Sequence, residues 1–172
     1  MDSKTVLEAV QNGSMSIEEA ERYFNRKAYE DMGYAKLDTY RELRSGFPEV
    51  IYCPNKPDAY LQAIYVRLLA EQGEVFGTRA TPEQAELVRQ VIPSIMYSPL
   101  AKTLKLQKPD KAREGLVAVC TAGTADVPVA EEAAQTAEFF GARVERYYDV
   151  GVSGLHRLVS KMEALQKANC IV

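Results

Sequence analysis

Apolar positions recur at helical spacing near the start of the chain and give way to short β-like runs further on. Val6, Leu7 and Val10 share one helical face, which Asn12-Gly13 closes. Ser16-Ile17-Glu18-Glu19 has the form of a capping box, with Ser16 as N-cap and Glu19 reaching back. Ile17, Ala20, Phe24 and Ala28 follow at helical spacing. A β-like piece at 34–38 precedes a polar stretch up to Pro48, and 49–53 is rich in strand formers until Pro54 and Pro57 stop it. A helix is predicted over 58–72, with Ala59, Ala63, Val66, Leu69 and Ala70 inward and Gly73 ending it. Residues 74–79 read as a strand. Thr81-Pro82-Glu83-Gln84 is a helix start, with Thr81 as N-cap, Pro82 in the first turn and Gln84 closing the box. Leu87, Val88, Val91 and Ile92 form the apolar face of that helix, and Pro93 ends it. Residues 100–106 alternate and are assigned to a strand.

The stretch 105–114 is charged and contains Pro109, which marks it as a linker. Beyond it the pattern is cleaner. Residues 115–120 form a continuous apolar run, as in a strand buried on both faces. Residues 128–140 are helical and Gly141 ends them; 143–148 is a strand, 155–168 a helix, and 169–172 opens a third strand. This β-α-β-α-β order predicts a parallel sheet with helices on both faces. The fold class is therefore α/β: an N-terminal α/β domain over 1–110, then the start of a three-layer, Rossmann- or flavodoxin-like parallel domain over 115–172. Three parallel strands leave faces uncovered, and the expectation is of a truncated domain that continues past Val172.

Of the 172 residues, 47% are hydrophobic, enough for a packed core. No apolar run approaches the ~18–20 residues of a membrane helix, and no signal peptide opens the chain, so no membrane partner and a cytoplasmic location are expected. A net charge of −3 argues against a nucleic-acid partner. Cys53, Cys120 and Cys170 are widely spaced and form no CxxC pair, which disfavours a zinc site or a disulfide framework.

In open α/β sheets ligands bind outside the carboxyl ends of the strands. The loop after the first tail strand is Thr121-Ala122-Gly123-Thr124-Ala125-Asp126. It joins a strand to a helix N-terminus, where free amides and a positive dipole end favour anions. Gly123 admits a phosphate close to the backbone, and Thr121 and Thr124 carry hydroxyl donors. Asp126 before Val127-Pro128 reads equally well as a helix cap. The next strand ends in Tyr148-Asp149-Val150-Gly151-Val152-Ser153-Gly154-Leu155-His156-Arg157. There His156 can exchange a proton near neutrality and Arg157 can grip a phosphate bidentately. Upstream, Arg41, Arg44 and Arg79 are further candidate anion-binding groups beside the ordinary reading of solvated surface charges.

The two loops, with Leu37-Asp38-Thr39-Tyr40-Arg41-Glu42-Leu43-Arg44-Ser45-Gly46-Phe47-Pro48-Glu49-Val50-Ile51 upstream, resemble the nickel-pincer cofactor biosynthesis protein B (LarB) family, the pyridinium-3,5-biscarboxylic acid mononucleotide synthases. The resemblance covers nearly the whole chain. The second half is similar to the phosphoribosylaminoimidazole carboxylase fold, whose Gly-Ser-x-Ser-Asp phosphate loop Gly123, Thr124 and Asp126 match with a one-residue gap. The Ser-Ala-His-Arg segment of that fold corresponds to Gly154-Leu155-His156-Arg157. The resemblance implies carboxylation of nicotinic acid adenine dinucleotide by carbon dioxide and cleavage of its phosphoanhydride with release of AMP. It further implies magnesium as the cofactor and a homo-oligomer. Under it, Thr121, Gly123 and Thr124 hold a phosphate, Asp126 binds magnesium or a ribose hydroxyl, and His156 and Arg157 meet the diphosphate or carboxylate. Asp126 and His156 are the candidate catalytic groups. Ring carboxylation calls for a thiolate adduct. Cys120 is the cysteine nearest the ligand edge, but its apolar run argues for an inert thiol, and the nucleophile is expected beyond Val172. The competing expectations are an aminoimidazole ribonucleotide carboxylase and a non-catalytic nucleotide-binding module.

Overall fold

The computed structural model describes residues 3–24, 29–38, 41, 45–109 and 111–172. Ala28 of the second helical pattern and Arg44 lie outside the described residues, as does part of the 37–51 motif. The chain divides into two compact units, Met1–Glu49 and Val50–Val172.

The first unit holds α1 (Ser3–Gln11), α2 (Ile17–Phe24) and an antiparallel pair, β1 (Glu30–Asp31) with β2 (Lys36–Leu37). The capping box forms as expected: the Ser16 amide donates to Glu19 at 2.8 Å and the Glu19 amide to Ser16 Oγ at 3.1 Å. The sequence carries no signal for strand β1, because Glu30-Asp31 has no β-forming side chain. Val6, Ala20 and Leu37 are buried, whereas Leu7, Ile17 and Phe24 of the expected apolar faces are exposed. Two short helices and a two-residue ladder enclose little interior, and α1, α2 and β2 each send one described side chain into it.

In the second unit, β3 (Val50–Tyr52), α3 (Asp58–Gln72) and β4 (Val75–Thr78) form a parallel crossover. They are followed by α4 (Pro82–Arg89), β5 (Met96–Ser98) and β6 (Thr103–Leu106), in the strand order β3-β4-β6-β5 with β6 antiparallel to both neighbours. The Thr81 box is made: Gln84 N to Thr81 Oγ1 is 3.2 Å and Thr81 N to Gln84 Oε1 is 3.1 Å. Gly73 ends α3 at φ 69 with its amide on the Leu69 carbonyl. The inward face of α3 differs from the expected one. Leu61, Ile64, Tyr65 and Leu68 are buried, while Ala59, Val66 and Ala70 face outward. The larger side chains win the interior because each removes more apolar area from water, and they too follow i, i+3, i+4, i+7 spacing. Tyr65 reaches the strands: its hydroxyl donates to the Leu104 carbonyl at 3.2 Å and lies 3.5 Å from Cys53 Sγ. Gly77 makes room for it, since a Cβ there would stand 1.8 Å from the Tyr65 oxygen.

The remaining elements are β7 (Glu114–Cys120), α5 (Val127–Phe139), β8 (Ala142–Tyr147), α6 (Leu155–Val159), α7 (Met162–Leu165) and β9 (Cys170–Ile171). The three strands form a parallel sheet in the order β8-β7-β9, the opening order of a flavodoxin-like α/β fold. The single helix expected over 155–168 is two short ones. Ser160 Oγ donates to the Arg157 carbonyl at 2.7 Å, the local competition by which serine interrupts helical bonding.

Helix α5 serves both sheets. Ala130 and Ala134, one turn apart, pack with Val119, Val117 and Val144 of β7 and β8. On the other side Phe139 stacks on Phe76 of β4 with ring centroids 4.8 Å apart, and Gln135 accepts from Thr103 Oγ1 of β6 at 2.6 Å. Within the expected linker, 107–109 and 111–113 join β6 to β7, and the two sheets on either side share this helix within one unit. Lys111 adds a clip there, 2.6 Å from the buried Glu74 and over the Phe139 ring. Phe139→Ala is expected to cost about 3–5 kcal/mol by opening a cavity in this shared layer. Urea unfolding should show it as one cooperative transition; separate melting of the two sheets would refute the shared layer.

Candidate functional site

Both candidate loops leave the carboxyl ends of adjacent parallel strands, and backbone bonds lace them together. Thr121 N donates to the Tyr147 carbonyl at 3.1 Å, Val150 N to the Thr121 carbonyl at 2.9 Å, and Gly151 N to the Ala122 carbonyl at 3.1 Å. Thr121 is itself buried, and its hydroxyl oxygen accepts from the Asp149 amide at 3.0 Å. Its hydroxyl supports the loops from within the fold. Gly151 permits this approach, because a Cβ there would lie 2.4 Å from the Ala122 oxygen.

Beyond Thr121 the backbone turns outward. Gly123 is extended, at φ −141 and ψ 174, and a Cβ placed on it would meet no atom within 4 Å. Thr124 to Asp126 form a short 3-10 turn with exposed side chains. Asp126 Oδ2 accepts from the Gly123 amide at 3.1 Å, and no side-chain cap bond runs from Asp126 into α5. The carboxylate thus closes its own turn and keeps one oxygen for solvent or a ligand. This turn leaves the central strand β7, beside the place where the order β8-β7-β9 reverses direction. Such switch points open a crevice between loops.

In the second loop Asp149 takes a left-handed backbone, φ 59, and its Oδ2 accepts a charge-assisted hydrogen bond from Arg157 Nη1. The guanidinium lies over Gly154, where a Cβ would fall 2.4 Å from Nε. Arg157 is half-buried and held in place, whereas His156 beside it is exposed in the first turn of α6. Nothing in the sequence singles out Asp149, since its eight-residue separation from Arg157 has no periodic meaning before the loop is folded.

Arg79 sits elsewhere in the same unit, at the carboxyl end of β4, with φ 54 and its Nε 3.7 Å from Glu132 Oε1 of α5. It lines a cleft of about 600 Å³ together with Tyr52, Thr81, Lys102 and Glu132. Lys102 also has a left-handed backbone, φ 52. Each such non-glycine residue costs on the order of 1–2 kcal/mol. Arg41 belongs to the first unit, where it is exposed and its amide donates to the Asp38 carbonyl at 3.1 Å. Arg44 is outside the described residues.

Burial pushes the thiols of Cys53 and Cys120 up, in Cys53 against smaller opposing effects from Tyr65 and Lys56, so neither is a ready thiolate. Among the described residues no group of three or more His, Cys, Asp or Glu side chains could hold a metal. The free oxygen of Asp126 is a single carboxylate donor, too few for a resident metal centre and enough for a magnesium ion whose other ligands are phosphate oxygens and water. No helix among the described residues is long and apolar enough to cross a membrane.

Residues 29–108 match the family profile described as LarB/PurE-like N-terminal domain. Over 181 aligned residues the chain is 32% identical to the uncharacterized protein MJ0165 of Methanocaldococcus jannaschii, covering 98% of this chain and 70% of that protein.

The second loop is anchored to α5 by charge. Glu131 Oε1 accepts from Arg146 Nε at 2.8 Å and from the Tyr148 hydroxyl at 2.5 Å, and Arg146 also donates to Glu138 at 2.7 Å. Burial pushes the Glu131 carboxyl up, but the hydrogen bonds from Arg146, Tyr148 and Gln135 outweigh it, and the net shift is below the ordinary 4.5. Burial and the bond to Glu131 push the Tyr148 hydroxyl up to about 12. A lowered carboxyl contributes stability that is complete above pH 4.5 and is lost as pH falls through its folded value. Urea midpoints of wild type and Glu131→Gln should therefore differ most near neutrality and converge below pH 4.5. A gap that stays constant into acid would refute the assignment.

Proposed function

We propose that this chain, which belongs to the LarB/PurE-like family, is part of a carboxylase that acts on the pyridinium ring of nicotinic acid adenine dinucleotide and cleaves its phosphoanhydride to release AMP. The family role is of carboxylase type. The choice of substrate and the cleavage step rest on the motif resemblance set out above. The observation that carries the reading is the open turn at 123–126 on the carboxyl end of the central strand, laced to a loop that presents Arg157 and His156.

A pyridinium ring is electron-poor and does not attack carbon dioxide. Addition of a thiolate to a ring carbon gives a neutral dihydropyridine, whose enamine carbon forms the new bond to carbon dioxide. Loss of the ring proton at that carbon and departure of the thiolate restore the pyridinium. Water then divides the phosphoanhydride into AMP and the carboxylated mononucleotide. Neither Cys53 nor Cys120 is given the nucleophile's role, since burial raises both thiols.

The remaining roles are those that the resemblance implies, and the positions of the loops support them. Gly123 and Thr124 receive a phosphate. Thr121 supports that turn from the interior. Arg157, oriented by Asp149, meets the diphosphate or the carboxylate, and His156 beside it is available for proton transfer. Arg79, Arg41 and Arg44 are further anion-binding candidates. Asp126 would hold a magnesium ion brought by the diphosphate or a ribose hydroxyl; magnesium, when bound, neutralises phosphate oxygens. The family resemblance also supports a homo-oligomeric protein.

The test is incubation of the natural protein carrying this sequence with nicotinic acid adenine dinucleotide, bicarbonate and magnesium, read by mass spectrometry. The expected products are AMP and a mononucleotide with one additional carboxyl group. Unchanged dinucleotide from folded protein would overturn the synthase reading and favour a binding module. Asp126→Asn keeps an acceptor for the Gly123 amide and removes the charge, so turnover should fall by about 100-fold or more with the unfolding midpoint unchanged. Undiminished turnover would remove Asp126 from the site.

A further inference from the structure

The cleft beside Arg79 has a chemistry that the loop site does not use. Tyr52 comes from the end of β3, and Arg79 and Thr81 from just beyond the end of β4, so the cleft opens at the carboxyl ends of two parallel strands. Lys102 comes from the turn between β5 and β6. Continued past its last paired residues, the antiparallel β4/β6 ladder puts Arg79 opposite Lys102. The Ala80 amide donates to the Lys102 carbonyl at 2.8 Å and the Tyr97 hydroxyl to the Ala80 carbonyl at 3.1 Å, which pins both segments. Arg79 and Lys102 both hold a left-handed backbone, at φ 54 and φ 52. Two bulky cationic residues in that conformation, both lining one cleft, mark a place where the fold sustains backbone strain.

The charge in the cleft is unbalanced toward the positive. Glu132 lies 3.7 Å from Arg79, while Lys102 has no ion-pair partner among the described residues. This local excess stands within a chain whose net charge is −3. The other walls are apolar, from Leu100, Ala101 and Pro128, and Tyr52 contributes a ring that is 54% exposed. A volume of about 600 Å³ is that of a small-molecule site. An aromatic wall, apolar sides and two cations lining one cleft suit a nucleoside that carries a phosphate group. Pro128 belongs to the first turn of α5, directly after the turn at 123–126. A ligand seated in the cleft would have its second half near that turn.

We infer that this cleft is the subsite for the nucleoside monophosphate half of the substrate, with Tyr52 against the base and Arg79 and Lys102 on the phosphate. The identity of the whole substrate rests on the function proposed above; the subsite does not, because a nucleoside monophosphate can be tested in the absence of carboxylation. Isothermal titration of the natural protein with AMP, adenosine and inorganic phosphate decides it. AMP is expected to bind more tightly than either fragment. Lys102→Glu should weaken AMP by about 10-fold or more, leave adenosine unaffected, and keep its wild-type unfolding midpoint, since Lys102 is exposed. Lys102→Arg should retain AMP binding, and Tyr52→Ala should weaken AMP and adenosine together. Wild-type AMP affinity in Lys102→Glu, or absence of AMP binding by the wild type, would overturn the subsite. AMP binding governed by Lys102 in a protein that yields no carboxylated product would uphold the subsite and overturn the synthase reading alone.

Discussion

Everything positioned in the second unit depends on one helix being apolar on two sides. Helix α5 presents Ala130 and Ala134 to the parallel sheet and Phe139 to the mixed one. Small residues on the first side let the helix backbone approach β7 and β8 closely, and the large ring on the second fills the gap to β4. A helix in an ordinary two-layer arrangement needs one apolar stripe. Here the second stripe makes residues 50–172 a single compact unit although they contain two separate sheets.

That arrangement also determines where chemistry can occur. The first turn of α5 lies between two groups of loops: the turn at 123–126 precedes it, and the cleft with Arg79 and Lys102 borders Pro128, Val129 and Glu132. The turn at 123–126 and the Arg79 segment both leave carboxyl ends of parallel strands, where ligands of open α/β sheets bind, and Lys102 joins the second group from the β5–β6 turn. Thr121 is the hinge of the design. A threonine hydroxyl buried at that point satisfies the Asp149 amide, and Asp149 in turn holds Arg157. The guanidinium is therefore oriented before any ligand arrives, which lowers the ordering cost of binding.

The local code was legible where a short motif has one physical meaning. The boxes at Ser16 and Thr81, the glycine end of α3, the apolar strand β7 and the order of the parallel tail all follow from side chains within a few residues of one another. The same holds for the loops at 121–126 and 149–157, since a strand end, a glycine and a polar residue in sequence suffice to define a candidate edge. Failures occurred where a choice depended on distant partners. The inward face of α3 could be built from its alanines or from Leu61, Ile64, Tyr65 and Leu68, and only the sheet beneath selects the second. The interruption at Ser160 depends on a hydroxyl turning back to a carbonyl, which periodicity does not register.

By itself, then, the sequence determined the α/β class, most element boundaries, the capping boxes at Ser16 and Thr81 and the positions of the strand-end loops, because those rest on interactions of short range. Tertiary structure alone decided that Thr121 supports the loops from inside, that Asp149 orients Arg157, and that Arg79 and Lys102 line one cleft. Each of these pairs residues between 8 and 28 positions apart. Such separations acquire meaning only when strand register and a shared helix bring the partners together, and no local propensity encodes that register.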